Sequence, residues 1–201
     1  AGGGDIRIDG GTGAVKVGDI TVISAHDFLA GSLEAARFQQ QAGSGTTTFF
    51  GAPRFAATSG APAFDFAGQN LVVTGDFSAA GSDIRINAVD ATLGGVVTSD
   101  GLGLEVSGNL SLTGGPHLVD TFAGALNQAG QSLVFNNNGH LTLGAVGGLN
   151  GISTNNGAVT IQAADLDLDQ AINAASETVT LQPAGANVPV TLGTESGVNG
   201  R

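Results

Sequence analysis

The chain has 201 residues and a formal charge of −11, with six Lys and Arg against 17 Asp and Glu and no Cys, Met, Trp or Tyr. That balance excludes nucleic acid as a partner, because such binding needs a cationic face to displace counterions, and it argues equally against an anionic membrane. Zero Cys removes disulfide and thiolate chemistry. Thirty-four Gly without a Gly-X-Y period, beside only 11% charged residues, fit neither collagen nor a disordered polyelectrolyte.

Along the chain a short strand phrase recurs. It reads GDIRID at 4–9, GDITV at 18–22, NLVVTG at 70–75, SDIRIN at 82–87, NLSLTG at 109–114, HLTLG at 140–144, AVTIQ at 158–162 and TVTLQ at 178–182. A polar residue opens most phrases, apolar and polar side chains then alternate, and a small residue often closes them. Alternation turns Ile6, Ile8, Ile84, Ile86, Leu110, Leu112, Leu141 and Leu143 inward and Arg7, Arg85, Ser111 and Thr142 outward. No run is long and apolar enough for a membrane-spanning helix, so membrane insertion is not expected.

The phrases repeat at coil-like intervals. The interval from Asp5 to Asp83 is twice the interval from Asn70 to Asn109. In the C-terminal half LEV at 104–106, LVF at 133–135, VTI at 159–161 and VTL at 179–181 follow one another at successively shorter intervals. Such spacing predicts an all-β parallel β-helix over 1–201, in which each coil covers its neighbour's apolar face. Roughly eight coils at about 4.8 Å would make a rod about 40 Å long.

Two stretches depart from the phrase. Eight of the ten Phe lie between Phe28 and Phe77, and the segment 26–68 reads as a less regular, Phe-rich part of the domain. Within it LAGSLEAARFQQQAG at 29–43 fits a helix or strands, with strands favoured. HLVDTFAGALNQAG at 117–130 poses the same choice between helix and strands, with a lateral loop or short helix inserted between coils as one reading. Eleven of 13 Asn stand at or after Asn109, as turn formers or as amide ladders. The strand pattern is already under way at Asp5 and no Met is present, which points to a segment of a longer array.

GDITV, AGSLEAARFQQQAGSGTTTFFG, QNLVVTGDFSAAGSDIRINA and GAVTIQAADLDLDQAI resemble the repeats of very large secreted bacterial surface proteins. These form the filamentous-haemagglutinin and autotransporter-adhesin class. The resemblance implies a right-handed parallel β-helix, an extracellular or cell-surface location, and adhesive or structural work. It brings no catalytic residues and no cofactor to transfer.

Chemistry between the phrases is sparse. His26-Asp27 and His117 with Asp120 are the close His–carboxylate pairs, and His26, His117 and His140 each read as surface or turn residues. Alternation with Leu166 and Leu168 turns Asp165, Asp167 and Asp169 to one outward face, which suits a cation or a solvated acidic strand. GGGDIRIDGG makes Asp5 and Asp9 a second calcium candidate, although the tandem repetition of a calcium β-roll is missing. No Lys or Arg stands between Arg85 and Arg201 to serve as a lyase-type base, so an enzyme is not expected. The expected role is a building unit of an extracellular filament, sheath or adhesin stalk. It would self-associate head-to-tail or continue within one chain. The alternative is a module that binds host or matrix glycans on a polar solenoid face.

Overall fold

The computed structural model describes residues 4–8, 15–57 and 61–185. The chain is an all-β solenoid of about eight stacked turns, with no helix among the described residues and so none able to cross a membrane. The turns up to Leu118 cross three columns of parallel strand, and the later ones keep the first and third. In the first column Ile6 pairs with Phe28, Phe28 with Thr47, Thr47 with Leu71, Leu71 with Ala91 and Ala91 with Leu110. The column resumes where Leu133 pairs with Val159 and Val159 with Val179. The second column runs from Lys16 through Glu34, Arg54, Ser78 and Thr98 to Leu118. The third runs from Ile20 through Phe38, Phe64, Ile84, Leu102, Phe122 and Leu143 to Leu168.

This register sorts the repeated phrases. NLVVTG and NLSLTG both lie in the first column two turns apart, which explains their spacing. The two DIRI phrases do not share a column: Ile6 belongs to the first and Ile84 to the third. LEV at 104–106 also sits in the third column, opposite 124–126, so its interval to LVF is not a turn length. From LVF onward, the intervals to VTI and then to VTL are turns.

The helix-or-strand choice at 29–43 falls to strand, with Phe28–Ala30 and Leu33–Gln40 both in the parallel ladder. The same choice at 117–130 also falls to strand, because Leu118–Leu126 lies in register with Thr98–Val106 and no lateral loop or helix is inserted there. Phe differs in bulk from the Ile and Leu of the phrases, yet all but Phe50 in this stretch stay inside. Phe28, Phe38, Phe49, Phe55, Phe64, Phe66 and Phe77 are buried, with ring centroids 4.8 to 6.5 Å apart. Further along, the row of Phe28 reaches Ala91 and that of Phe55 reaches Ala79, while the rows of the other five pass to Ile, Val or Leu.

The opening and closing residues of the phrases are corner devices. Asp27 N–H donates to Asp5 Oδ1 (3.3 Å), Thr46 N–H to Asp27 Oδ1 (2.7 Å), Asn70 Nδ2 to Thr46 Oγ1 (3.4 Å) and Asn109 N–H to Asp90 Oδ1 (2.6 Å). The polar opener therefore satisfies corner amides that the strand ladder leaves behind. At the closing end Gly51, Gly75, Gly95 and Gly114 stack backbone on backbone. A Cβ at Gly75 would lie 2.5 Å from the Gly51 oxygen, and one at Gly95 would lie 2.2 Å from the Gly75 carbonyl carbon. No side chain fits between turns there.

A hairpin leaves the coil after Leu143. Ala145–Val146 and Leu149–Asn150 form an antiparallel hairpin around Gly147 (φ 59°) and Gly148 (φ 92°), the positive-φ pair of a tight hairpin turn. Leu143 stays opposite Phe122 and Ile152 opposite Gly124, so residues 144–151 stand where the preceding turn has Ala123 alone. The hairpin lies back over the outer surface of earlier turns. Val146 covers Gly101 and Gly103, and it and Ala123 are buried outside the main core.

Gly95→Ala is expected to cost about 3 kcal/mol, the upper end of ordinary overpacking, because backbone rather than a flexible side chain blocks the methyl group. Gly18→Ala, with nothing within 4 Å of its Cβ position, should stay within about 0.5 kcal/mol of the parent. Chemical denaturation of the two variants checks both.

Candidate functional site

Two clusters of titratable side chains and one buried histidine carry the chemistry. The first cluster sits on the first two turns. Asp5 opens the strand Ile6–Ile8 and Asp27 opens Phe28–Ala30, so register places the two carboxylates on neighbouring rungs of one corner. His26 precedes Asp27, and its Nδ1 lies 3.3 Å from Asp5 Oδ1 and 3.4 Å from Asp27 Oδ2. One ligand atom from each of the three residues falls within 4.8 Å of the others. Asp5 and His26 are exposed and Asp27 is half-buried. Asp9, paired with Asp5 in the calcium expectation, lies outside the described residues.

The second cluster sits on the last two turns of the third column. His140 pairs in register with Asp165 and Thr142 with Asp167. His140 Nδ1 is 3.3 Å from Asp165 Oδ2, and its Nε2 is 3.5 Å from Asp167 Oδ2 and 3.3 Å from Thr142 Oγ1. The carboxylates thus address opposite edges of one ring. A single ion cannot take both ring nitrogens, so the geometry does not suit chelation by all three groups. Asp169 follows the strand Asp165–Leu168 and is exposed, with its backbone amide on Leu143 O.

His117 is the exception to the surface reading, because it is only 1% exposed. It stacks on Phe135, with centroids 5.2 Å apart, and Phe135 stacks on Phe122 at 4.3 Å. Its Nδ1 accepts the Val97 N–H at 3.1 Å, which requires that nitrogen to be unprotonated. Beside it Asn137, equally buried, stands in for a strand. Its Oδ1 accepts the Val119 N–H and its Nδ2 donates to the Val119 carbonyl, both at 2.9 Å. The signal for His117 is present in the alternation of 117–119, which puts His117 and Val119 on the same side. The Asp5–His26–Asp27 group is hidden in the sequence because its members meet only when one turn stacks on the next.

Two ionisable groups are displaced from their ordinary behaviour. Burial pushes His117 down by penalising the imidazolium. Burial, and then the negative charge of Asp100, push the Asp83 carboxyl up against a lowering backbone hydrogen bond at Gly101. No protein-family profile, curated protein or solved structure matches this chain.

The sign for His117 follows from proton linkage. Its folded value lies below that of the unfolded chain, about 6.5, so the unfolded chain takes up the proton first as pH falls. Its stability contribution is complete above about pH 6.5 and is lost as pH falls towards and through the depressed folded value. Thermal unfolding midpoints measured from neutral to mildly acidic pH should show this fall. In His117→Phe the step should shrink, while stability at neutral pH drops by about 1–3 kcal/mol because the Val97 amide loses its acceptor.

Proposed function

We propose that this chain is a structural building unit of an extracellular filament, sheath or adhesin stalk, assembling through stacked coils. The observation that carries the reading is the state of the terminal strands. Among the described residues Ile6–Ile8 pairs only with Phe28–Ala30, and Val179–Pro183 only with Val159–Ala163. Ile6, Ile8 and Leu181 are only partly buried, and Val179 is 40% exposed. A parallel ladder with unpaired edges is a template for more of the same strand, supplied by the same chain or by another copy. A contact of that kind does not close on itself and generates a filament. The resemblance to filamentous-haemagglutinin and autotransporter-adhesin repeats supports a bacterial cell-surface setting for it.

Electron microscopy of the concentrated chain should show rods longer than one unit of about 40 Å. Charging the last strand with Val179→Lys and Thr180→Lys should shorten them. A monodisperse monomer with no fibres at high concentration would sink the head-to-tail version.

A second reading has one observation in its favour. From the second turn onward, one outward row of the first column is uncharged, beside the row that holds Asp90: Leu29, Thr48, Val72, Thr92 and Ser111, then Val134, Thr160 and Thr180. A neutral stripe rich in hydroxyls on a chain of charge −11 suits neutral glycans, with the half-exposed Phe50 as an aromatic platform. A glycan-array screen is expected to return neutral polysaccharides if this reading holds and no hits if the chain is purely structural.

A further inference from the structure

We infer that Asp5, His26 and Asp27 form a site for a divalent transition-metal ion that ties the first turn of the solenoid to the second. The set is two carboxylates and one imidazole converging on one point, with a ligand atom of each within 4.8 Å of the other two. Donors about 2.0–2.1 Å from a tetrahedral ion stand about 3.3 Å apart. The imidazole Nδ1 meets that condition toward both carboxylates, at 3.3 Å from Asp5 Oδ1 and 3.4 Å from Asp27 Oδ2. One N–H shared between two carboxylates leaves lone pairs unanswered, whereas an ion engages all three groups at once.

The backbone holds the carboxylates ready. Asp5 Oδ1 accepts the Asp27 N–H, and Asp27 Oδ1 accepts the Thr46 N–H at 2.7 Å. Asp27 therefore anchors one oxygen in the corner and turns the other, Oδ2, towards His26. For Asp27 the anchored oxygen is not the one that would ligate, and a bond of this kind to a ligand's other atom fixes its orientation and raises affinity. The imidazole decides the class of ion. Calcium and magnesium prefer all-oxygen shells, while a mixed nitrogen and carboxylate set favours zinc and its first-row neighbours. This separates the site from the calcium expectation at Asp5 and Asp9, and from the His140 cluster, where the two carboxylates lie at opposite ring nitrogens.

The consequence is local. Ile6–Ile8 is a three-residue strand whose inward residues are only partly covered, and the site bridges it to Phe28–Ala30. An ion there would hold the first strand against fraying.

Calorimetric titration of the folded chain with zinc chloride, near neutral pH in a non-chelating buffer, tests the site. A single saturable ion per chain is expected, with a matching rise in the thermal unfolding midpoint. His26→Ala and Asp27→Asn should each weaken binding about tenfold or more while circular dichroism still shows the β fold. His140→Ala should leave binding unchanged, and excess calcium should not displace the zinc. No saturable binding, binding untouched by His26→Ala, or loss of binding in His140→Ala overturns the assignment. Equal competition by calcium overturns the choice of metal class.

Discussion

Hydrogen-bonded strands sit about 4.8 Å apart, and in this molecule successive turns must keep that spacing around their corners as well as along their flat runs. Strand segments meet the demand easily, because parallel pairing supplies a regular ladder. Corners are harder: the backbone changes direction there, its amides lose their ladder partners, and any side chain pointing along the axis collides with the next turn. The solution is split by position. Asp5, Asp27, Thr46, Asn70 and Asp90 answer amides or stack as rungs at one corner, while Gly51, Gly75, Gly95 and Gly114 give up their side chains at another. Given those two columns, each new turn needs only an alternating apolar stretch to extend the core.

The same constraint explains the irregular interior. The turn from Phe135 to Ile161 is longer than the turn from Leu93 to Leu112, yet register is kept in both. Extra residues leave the coil rather than distort it, as in the hairpin after Leu143. Where the second-column ladder runs out at Leu118 and Val119, side chains take over. Asn137 offers Val119 the donor and acceptor that a backbone would have offered, and His117 accepts the Val97 amide from inside the core. Buried polar groups persist when they are paired, and both of these find backbone partners.

Much of the fold is legible in the sequence, because the phrase NLVVTG already holds an opener, two inward residues and a closing glycine. The column to which a phrase belongs is not. Asp83 and Asp5 begin similar words, yet one stands in the third column and the other in the first, since the inward–outward alternation is the same on every face. Segment 29–43 is ambiguous because helical spacing fits Leu29, Leu33, Ala36 and Gln40 while alternation fits Leu33, Ala35, Arg37 and Gln39. Side-chain clusters are less legible still. Asp5 and Asp27 are a turn apart, and their meeting depends on a turn length that no other adjacent pair in the first column repeats. His140 depends in the same way on the length of the turn that brings Asp165 and Asp167 beneath it.

In a stack where every turn touches only its neighbours, stability is close to a sum of local contributions, and turns can separate singly. The hairpin at Ala145–Asn150 breaks that rule. It leaves the turn that holds His140–Leu143 and rests on Gly101 and Gly103, two passes earlier in the chain, with the stem of Arg85 beneath Gly147. Under a pulling force along the axis, the end turns would peel away in small, even steps. The strands Val97–Val106, Leu118–Leu126 and His140–Leu143 are clasped by the hairpin and would instead yield together in one larger event. A solenoid built this way has compliant ends and a stiff knot between them, so its extension under load is staged rather than uniform.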